Sequence, residues 1–266
     1  MSPDTAPRRV FVTGSADGIG RETASVLAAG GHRVVLHARD ASRAEEALAA
    51  VPKAADVLVG DLASLAETRE LARAAAGAGP FDVVIHNAGV GGGVPRREVT
   101  ADGLERIFQI NVVAPYLLTA LMPPPRRLVY LTSGLESRGT PALDDLQFTG
   151  RPWDGMQAYA DSKLYDVMLA FAAARRLPDT LSNAVDPGWI RTRLGGPEAT
   201  DALPEGAETQ VWLATDDSAG ATVTGRYFKR RRELTAHPAA GDTQVQERLL
   251  AALAELTGTP FPDARR

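Results

Sequence analysis

Tyr159 and Lys163 stand four residues apart in Tyr159-Ala160-Asp161-Ser162-Lys163, so on a helix their side chains share one face. A free tyrosine ionises near about pH 10 and is a poor acid–base group at neutral pH. A lysine cation beside it favours the phenolate and moves that pKa toward the working range, as proton transfer to a substrate oxygen requires. A surface tyrosine with a helix ion pair has the same spacing, and for this pair alone it is the plainer reading. Ser133 shifts the balance. It follows the run Arg127-Leu128-Val129-Tyr130-Leu131, at the carboxyl end of a strand, and ligands of open α/β sheets bind in that crevice.

A second constellation lies near the amino terminus. Thr13-Gly14-Ser15-Ala16-Asp17-Gly18-Ile19-Gly20 joins the apolar run Val10-Phe11-Val12 to a helix-compatible segment. Glycines there allow a tight turn, close approach of backbone to a pyrophosphate, and close helix–sheet packing. The helix start offers unpaired N–H groups and partial positive charge to phosphates. A turn without a ligand is the alternative, and the position between strand and helix argues against it.

These groups need a scaffold, and the rest of the chain supplies its pattern. Short β-branched runs at 10–12, 33–37, 56–59, 81–86, 127–131, 181–185 and 223–228 alternate with helical segments at 21–29, 41–50, 65–76, 101–121, 157–177 and 243–256. That alternation predicts one α/β domain, doubly wound (Rossmann-type), with a central parallel sheet of about seven strands flanked by helices. We place it at 8–258, between a polar tail at 1–7 and a second tail at 259–266. Gly195-Gly196-Pro197 suggests a hinged substrate loop or lid over 191–210.

Composition excludes other classes. Of 266 residues, 29 are Lys or Arg and 33 Asp or Glu, a formal net charge of -4, so a basic nucleic-acid footprint is absent. The one basic cluster, Lys229-Arg230-Arg231-Arg232, is a solvated turn or lies near an anionic ligand. With no cysteine there are no disulfides or thiolate nucleophiles. His32, His37, His86 and His237 are too scattered for a zinc site, and no metal is expected. No apolar run reaches about 18 residues, so no membrane span is expected. The first residues lack the basic and apolar regions of a signal peptide, and the expected location is cytoplasmic.

The G-x-x-x-G-x-G spacing after Thr13 resembles the short-chain dehydrogenase/reductase family, and the resemblance extends over nearly the whole chain. Asp61-Leu62 matches the family's adenine-contacting dipeptide and Asn87-Ala88-Gly89 its turn after the fourth strand. Asn111 matches the helical asparagine, Ser133 the strand-end serine, and Tyr159 with Lys163 the Y-x-x-x-K pair. Pro187-Gly188, followed by Thr192, matches the turn after the sixth strand. Residues 144–163, with Trp153 ahead of Tyr159, look most like the retinol-dehydrogenase-like branch.

The resemblance implies an NAD(P)-dependent oxidoreductase acting on carbonyl or alcohol groups. Ser133 would hold the substrate carbonyl and Tyr159 would transfer the proton. Lys163 would also bond the nicotinamide ribose, and Asn111 would support a proton-relaying water or else bond only to backbone. The implied cofactor set is Gly14, Ser15, Gly18, Ile19, Gly20, Arg39, Asp61, Leu62, Asn87, Ala88, Gly89, Tyr159, Lys163, Pro187, Gly188 and Thr192. Non-redox dehydration or cyclisation, and nucleotide-binding regulation without turnover, are the competing functions.

At the end of the second strand an acid would bond the 2′-hydroxyl of NAD, whereas arginine accepts the 2′-phosphate of NADP. The sequence there is His37-Ala38-Arg39-Asp40, which favours NADP over NAD. Adjacent Asp40, and Asp17 where many NADP-using relatives carry a base, argue the other way. Gly91-Gly92-Gly93, Leu135, Phe148, Trp153, Met156, Trp189, Ile190 and Leu194 predict an apolar pocket for a hydrophobic small molecule. Pro123-Pro124-Pro125 must end the helix carrying Asn111 early. In this family that helix and the Tyr159 helix form a four-helix dimer interface, so the family tetramer is in doubt and a monomer or homodimer is expected.

Overall fold

The computed structural model describes residues 6–263. Positions 1–5 of the expected amino-terminal tail, and 264–266 of the carboxyl-terminal one, lie outside the described residues.

In chain order the elements are β1 (Arg9–Val12), α1 (Gly18–Ala29), β2 (Arg33–Ala38), α2 (Ala41–Ala50), β3 (Asp56–Val59), α3 (Leu65–Ala78), β4 (Val83–His86) and the single turn α4 (Arg106–Phe108). A π-helical turn, Gln109–Val113, leads into α5 (Ala114–Leu121). There follow β5 (Arg127–Leu131), a 3-10 turn (Gly134–Arg138), α6 (Gly155–Arg176), β6 (Leu181–Val185), α7 (Leu203–Thr215), β7 (Arg226–Lys229), β8 (Arg232–Leu234), α8 (Pro238–Gly241) and α9 (Thr243–Thr257). Short acceptors set several helix starts. Asp17 takes the Gly18 N–H, Asp40 that of Arg43, and Asp154 those of Met156 and Gln157.

The strands form one sheet in the order β3-β2-β1-β4-β5-β6-β7-β8, parallel as far as β7. β1 is paired with β2 on one side and β4 on the other, so the chain reverses its winding direction there. The crevice at the carboxyl ends of these strands is where such sheets bind ligands. Alternate residues feed two cores. Phe11, Val35, Val84, Leu128 and Tyr130 pack with α3, α5, α6 and α9, whereas Val10, Val12, Leu36, Ile85 and Val129 pack with α1 and α7.

Several expectations need correcting. The helix expected at 101–121 begins only at Arg106 and contains the π turn, because Glu105 caps it, taking the N–H groups of Ile107 and Phe108. The strand expected at 223–228 is Arg226–Lys229, and an eighth, antiparallel strand follows it. Its hairpin turn is Arg230-Arg231, both at positive φ (49° and 57°), without the glycine or asparagine that would have signalled it. The lid expected over 191–210 is half helix: α7 starts at Leu203, with Pro204 in its first turn and the Glu205 carboxylate accepting the Ala202 N–H.

The carboxyl-terminal segment is no loose tail. Tyr116 on α5 donates to the Thr259 carbonyl at 2.6 Å and packs its ring, tilted, against Phe261, and Arg69 on α3 bonds Thr259 and Thr257. α8 and α9 cover α6, tied through Arg175 and Arg176 to Glu247. Among the described residues, no helix is long and apolar enough to cross a membrane.

Candidate active site

The glycine turn is built from beneath. Thr13 Oγ1 accepts the N–H groups of Asn87 and Ala88 at 3.0 and 3.1 Å, tying β1 to the segment after β4. The Asn87 side-chain amide donates to the Thr13 and Gly14 carbonyls. A Cβ on Gly20 would sit 2.3 Å from Asn87 Nδ2 and 2.4 Å from the Gly14 carbonyl oxygen, so only glycine lets α1 start this close to the turn. His37 braces the other side. Its Nδ1 accepts the Gly14 N–H at 2.9 Å and its Nε2 faces the Gly60 carbonyl at 2.8 Å, which makes Nε2 the protonated nitrogen. Burial lowers its pKa and keeps the ring neutral in that role.

Over this turn runs a cleft of about 1010 Å³. It is lined by Gly14, Gly18, Ile19, Gly20, Arg39, Asp61, Leu62, Asn87, Ala88, Gly89, Ser133, Tyr159, Lys163, Pro187, Gly188 and Thr192, so most of the expected site converges. Ser15 does not. Its N–H goes to the His37 carbonyl, and its buried hydroxyl donates to Val12 O and accepts the His37 N–H, so nothing is left for a phosphate. Asn111 sits behind the wall. Its amide hydrogens go to the Val90 carbonyl and Ser162 Oγ, both at 3.0 Å, and its Oδ1 accepts the Val90 N–H. It thus fastens the segment after β4 to α6, and the π turn is where it is presented.

At the chemical end, Ser133 caps the 3-10 turn, with Oγ 3.3 Å from the Leu135 N–H. Tyr159 is nearly buried, on the cleft side of α6. Lys163 Nζ lies 5.7 Å from the Tyr159 ring centre and donates to the Leu131 carbonyl (3.0 Å) and Asp166 Oδ2 (2.7 Å). Burial opposes its charge, but Asp166 and then Tyr159 outweigh burial and leave the lysine pKa raised.

The residues around the cleft correct the expected pocket. Leu135, Met156, Trp189, Ile190 and Leu194 line it, with Gly91, Gly92 and Gly93. Phe148 and Trp153 do not, because they pack on each other, with Ile107 and Ala158, and Trp153 Nε1 donates to Val94 O. The segment between β6 and α7 crosses the glycine turn. Thr192 rests over Gly18, and Arg193 lies 3.6 Å from Asp17.

Sequence reading missed Arg43, on the first turn of α2, which lines the cleft beside Arg39 and pairs with Asp17 at 3.3 Å and Glu46 at 2.5 Å. Its position four residues after Arg39, across a helix start capped by Asp40, was an available signal. Asp186 was also missed, whereas Lys229 belongs to the basic cluster already noted. They form a 2.9 Å ion pair on the cleft wall. Two further members of the basic cluster pair with carboxylates: Arg230 with Asp201, Arg231 with Glu208.

Known proteins resemble this chain in sequence and fold. A family model described as short chain dehydrogenase matches residues 8–127. An uncharacterized oxidoreductase of Emericella nidulans is 42% identical over 258 residues, 96% of this chain and 98% of its own. Human retinol dehydrogenase 13 is 32% identical over 290 residues, covering 97% of this chain and 87% of its own. Among solved structures, a blue fluorescent protein from a metagenomic library in complex with NADPH is 29% identical, with a TM-score of 0.67 over 84% of this chain and 95% of that one.

Proposed function

The chain belongs to the short-chain dehydrogenase/reductase family, nicotinamide-dependent oxidoreductases of CH–OH and C=O groups, and on that premise we propose that it is an NADP-dependent reductase or dehydrogenase of hydrophobic carbonyl or alcohol compounds, with Tyr159 as general acid–base. One observation carries this reading: Ser133, Tyr159 and Lys163 open onto the same cleft as the glycine turn.

The cleft's residues fit the cofactor. The first turn of α1 offers helix-start N–H groups, Gly20 leaves no side chain over the turn, and Arg39 and Arg43 stand at the end of β2 for a 2′-phosphate. NADP bound there would supply hydride exchange with the substrate carbon. The protein's part is positional and protonic. Ser133 Oγ donates to the substrate oxygen, Tyr159 gives it a proton in reduction or takes one in oxidation, and Lys163 favours the phenolate and directs a donor toward the cofactor ribose. Asn111 positions the Val90 segment against α6. Met156, Trp189 and Leu194, each about half exposed beside the cleft, support an apolar substrate.

The test is NADPH oxidation, followed by absorbance, over a panel of aromatic and aliphatic ketones and aldehydes, with NADH in parallel. Turnover is expected, and Tyr159→Phe should abolish it while leaving NADPH affinity within about twofold, since only one hydroxyl is removed. Substantial activity in that variant would overturn the assignment. Tight NADPH binding without turnover of any carbonyl would favour the regulator. The cover of α8, α9 and Phe261 over α5 and α6 supports a monomer, or a dimer through another surface, which light scattering decides.

A further inference from the structure

Lys163 is held in an unusual way for a group that must also serve a ligand. Its ammonium has three donors, and two are already placed, one on the Leu131 carbonyl and one on Asp166 Oδ2. Lys163 and Asp166 lie three residues apart on α6, and their side chains are 6% and 4% exposed. Two ions are costly to bury, and a buried pair is weak evidence for stability. This one sits directly behind the candidate proton donor.

We infer that Asp166 is a positioning residue of the reaction: it fixes the Lys163 ammonium so that one N–H is left for the cofactor, and its negative charge offsets the lysine's at Tyr159, setting the pH at which the tyrosine ionises. The inference rests on the reading of Tyr159 as acid–base.

The surroundings leave few other charges to do this. The titratable groups facing Asp166 are Lys163, with Tyr159 one turn behind it, on α6, Tyr130 on β5, and His86 on β4, which borders the same small void as Asp166 and Asn111. His86 is pushed down to about 3 by burial and is neutral at working pH. Tyr130 is raised by burial and stays protonated, its hydroxyl 2.6 Å from Thr119 Oγ1. Asp166 itself is lifted by burial, against the pull of Lys163, to about 6, so its carboxylate is formed at neutral pH. Lys163 and Asp166 are thus the opposed charges of this pocket.

Two replacements separate position from charge. Asp166→Asn keeps an acceptor for Nζ but removes the opposing charge, so the lysine acts on Tyr159 alone and the phenolate forms at lower pH. Asp166→Leu removes acceptor and charge together. A buried ammonium with one fewer partner loses its proton more readily, so the phenolate forms at higher pH and cofactor binding weakens.

The experiment reads tyrosinate absorbance against pH in the purified full chain, with Tyr159→Phe as the reference to subtract. Of the other four tyrosines, burial raises Tyr116 to about 12 and lifts Tyr130, Tyr165 and Tyr227 as well, so the difference isolates Tyr159. A wild-type chain with no transition removed by Tyr159→Phe would sink the Tyr159 reading before any Asp166 variant is made. With that transition present, Asp166→Asn should move the midpoint down and Asp166→Leu up, each by about one pH unit. NADPH affinity should fall about tenfold in Asp166→Leu alone, the size of one lost hydrogen bond. Midpoints unchanged in folded variants, or moved the same way in both, would overturn the inference. Should the leucine variant fail to fold, the asparagine shift decides alone.

Discussion

Arg39 and Arg43 should divide the work of recognising a 2′-phosphate unequally, and their surroundings say how. Arg39 is 68% exposed at its side chain and rests on Asp40 at 3.1 Å, a contact it must loosen to reach a ligand. Arg43 is 23% exposed and already held on two sides, by Asp17 and Glu46. A hydrogen bond to a charged group contributes about 1.5–3 kcal/mol, or roughly 10- to 150-fold in affinity. Immobilising a free side chain costs about 0.5–1.5 kcal/mol, which places Arg39 toward the lower end and Arg43 toward the upper. Arg39→Ala should therefore weaken NADPH about 10-fold and Arg43→Ala about 100-fold, with NADH changing by less than about threefold in either. Asp17→Ser should act in reverse. Serine can still cap α1, while a negative charge that would repel a phosphate beside Arg43 and Arg193 is gone, so NADPH should bind more tightly. Fluorescence titration of both nucleotides at low and high salt measures all three, and salt should erode the discrimination in proportion to exposure. If Arg43→Ala and the double variant weaken both nucleotides equally, the arginines support the loop and NADP specificity has no basis.

Gly20→Ala should abolish measurable NADPH binding and lower stability by about 1–3 kcal/mol, because the new methyl meets Asn87 and the Gly14 carbonyl; isothermal titration and a thermal melt read both effects. Replacing Arg230-Arg231 by Asn-Gly should raise Tm by about 2–4 °C, since two non-glycine residues then leave positive φ and the lost ion pairs are exposed; an unchanged or lower Tm would show the ion pairs to α7 matter more. His86 is depressed from 6.5 to about 3 in the folded chain, so its contribution to stability is present above about pH 6.5 and lost as pH falls through that window. His86→Gln, which retains a partner for Thr119, should flatten the fall in Tm between neutral pH and about pH 5; an equal fall in both proteins would refute this.

Sequence patterning carried the sheet from β1 to β6 because those strands, all but the edge strand β3 largely buried, read as apolar runs between helices. It failed where the governing contacts lie far away in the chain. Ser15 looks like a phosphate ligand by position, yet the strand that follows α1 turns both its polar groups inward. Phe148 and Trp153 look like pocket walls by type, but they pack with Ile107, and Trp153 Nε1 donates to the Val94 carbonyl. β8 was hidden because its turn uses arginines where glycine is expected. The candidate catalytic residues were legible through fixed spacings, Tyr159 to Lys163 above all. Asp166 was not, since a carboxylate three residues after a lysine on a helix usually marks a solvated face, and only burial distinguishes it.

The way the carboxyl-terminal segment closes over α3 and α5 has a consequence for how the protein is made. Thr259 and Phe261 complete a face whose other members, Arg69 and Tyr116, are 190 and 143 residues earlier in the chain. A ribosome delivers those earlier residues first, at about 5–20 per second, and Thr259 and Phe261 only later. Throughout that interval Tyr116 and its neighbours on α5 lack their cover, and contacts of such long sequence separation are slow to form even after release. Closure of this face is thereby a late step in folding. The stripe along α5 is the surface a nascent-chain chaperone would meet.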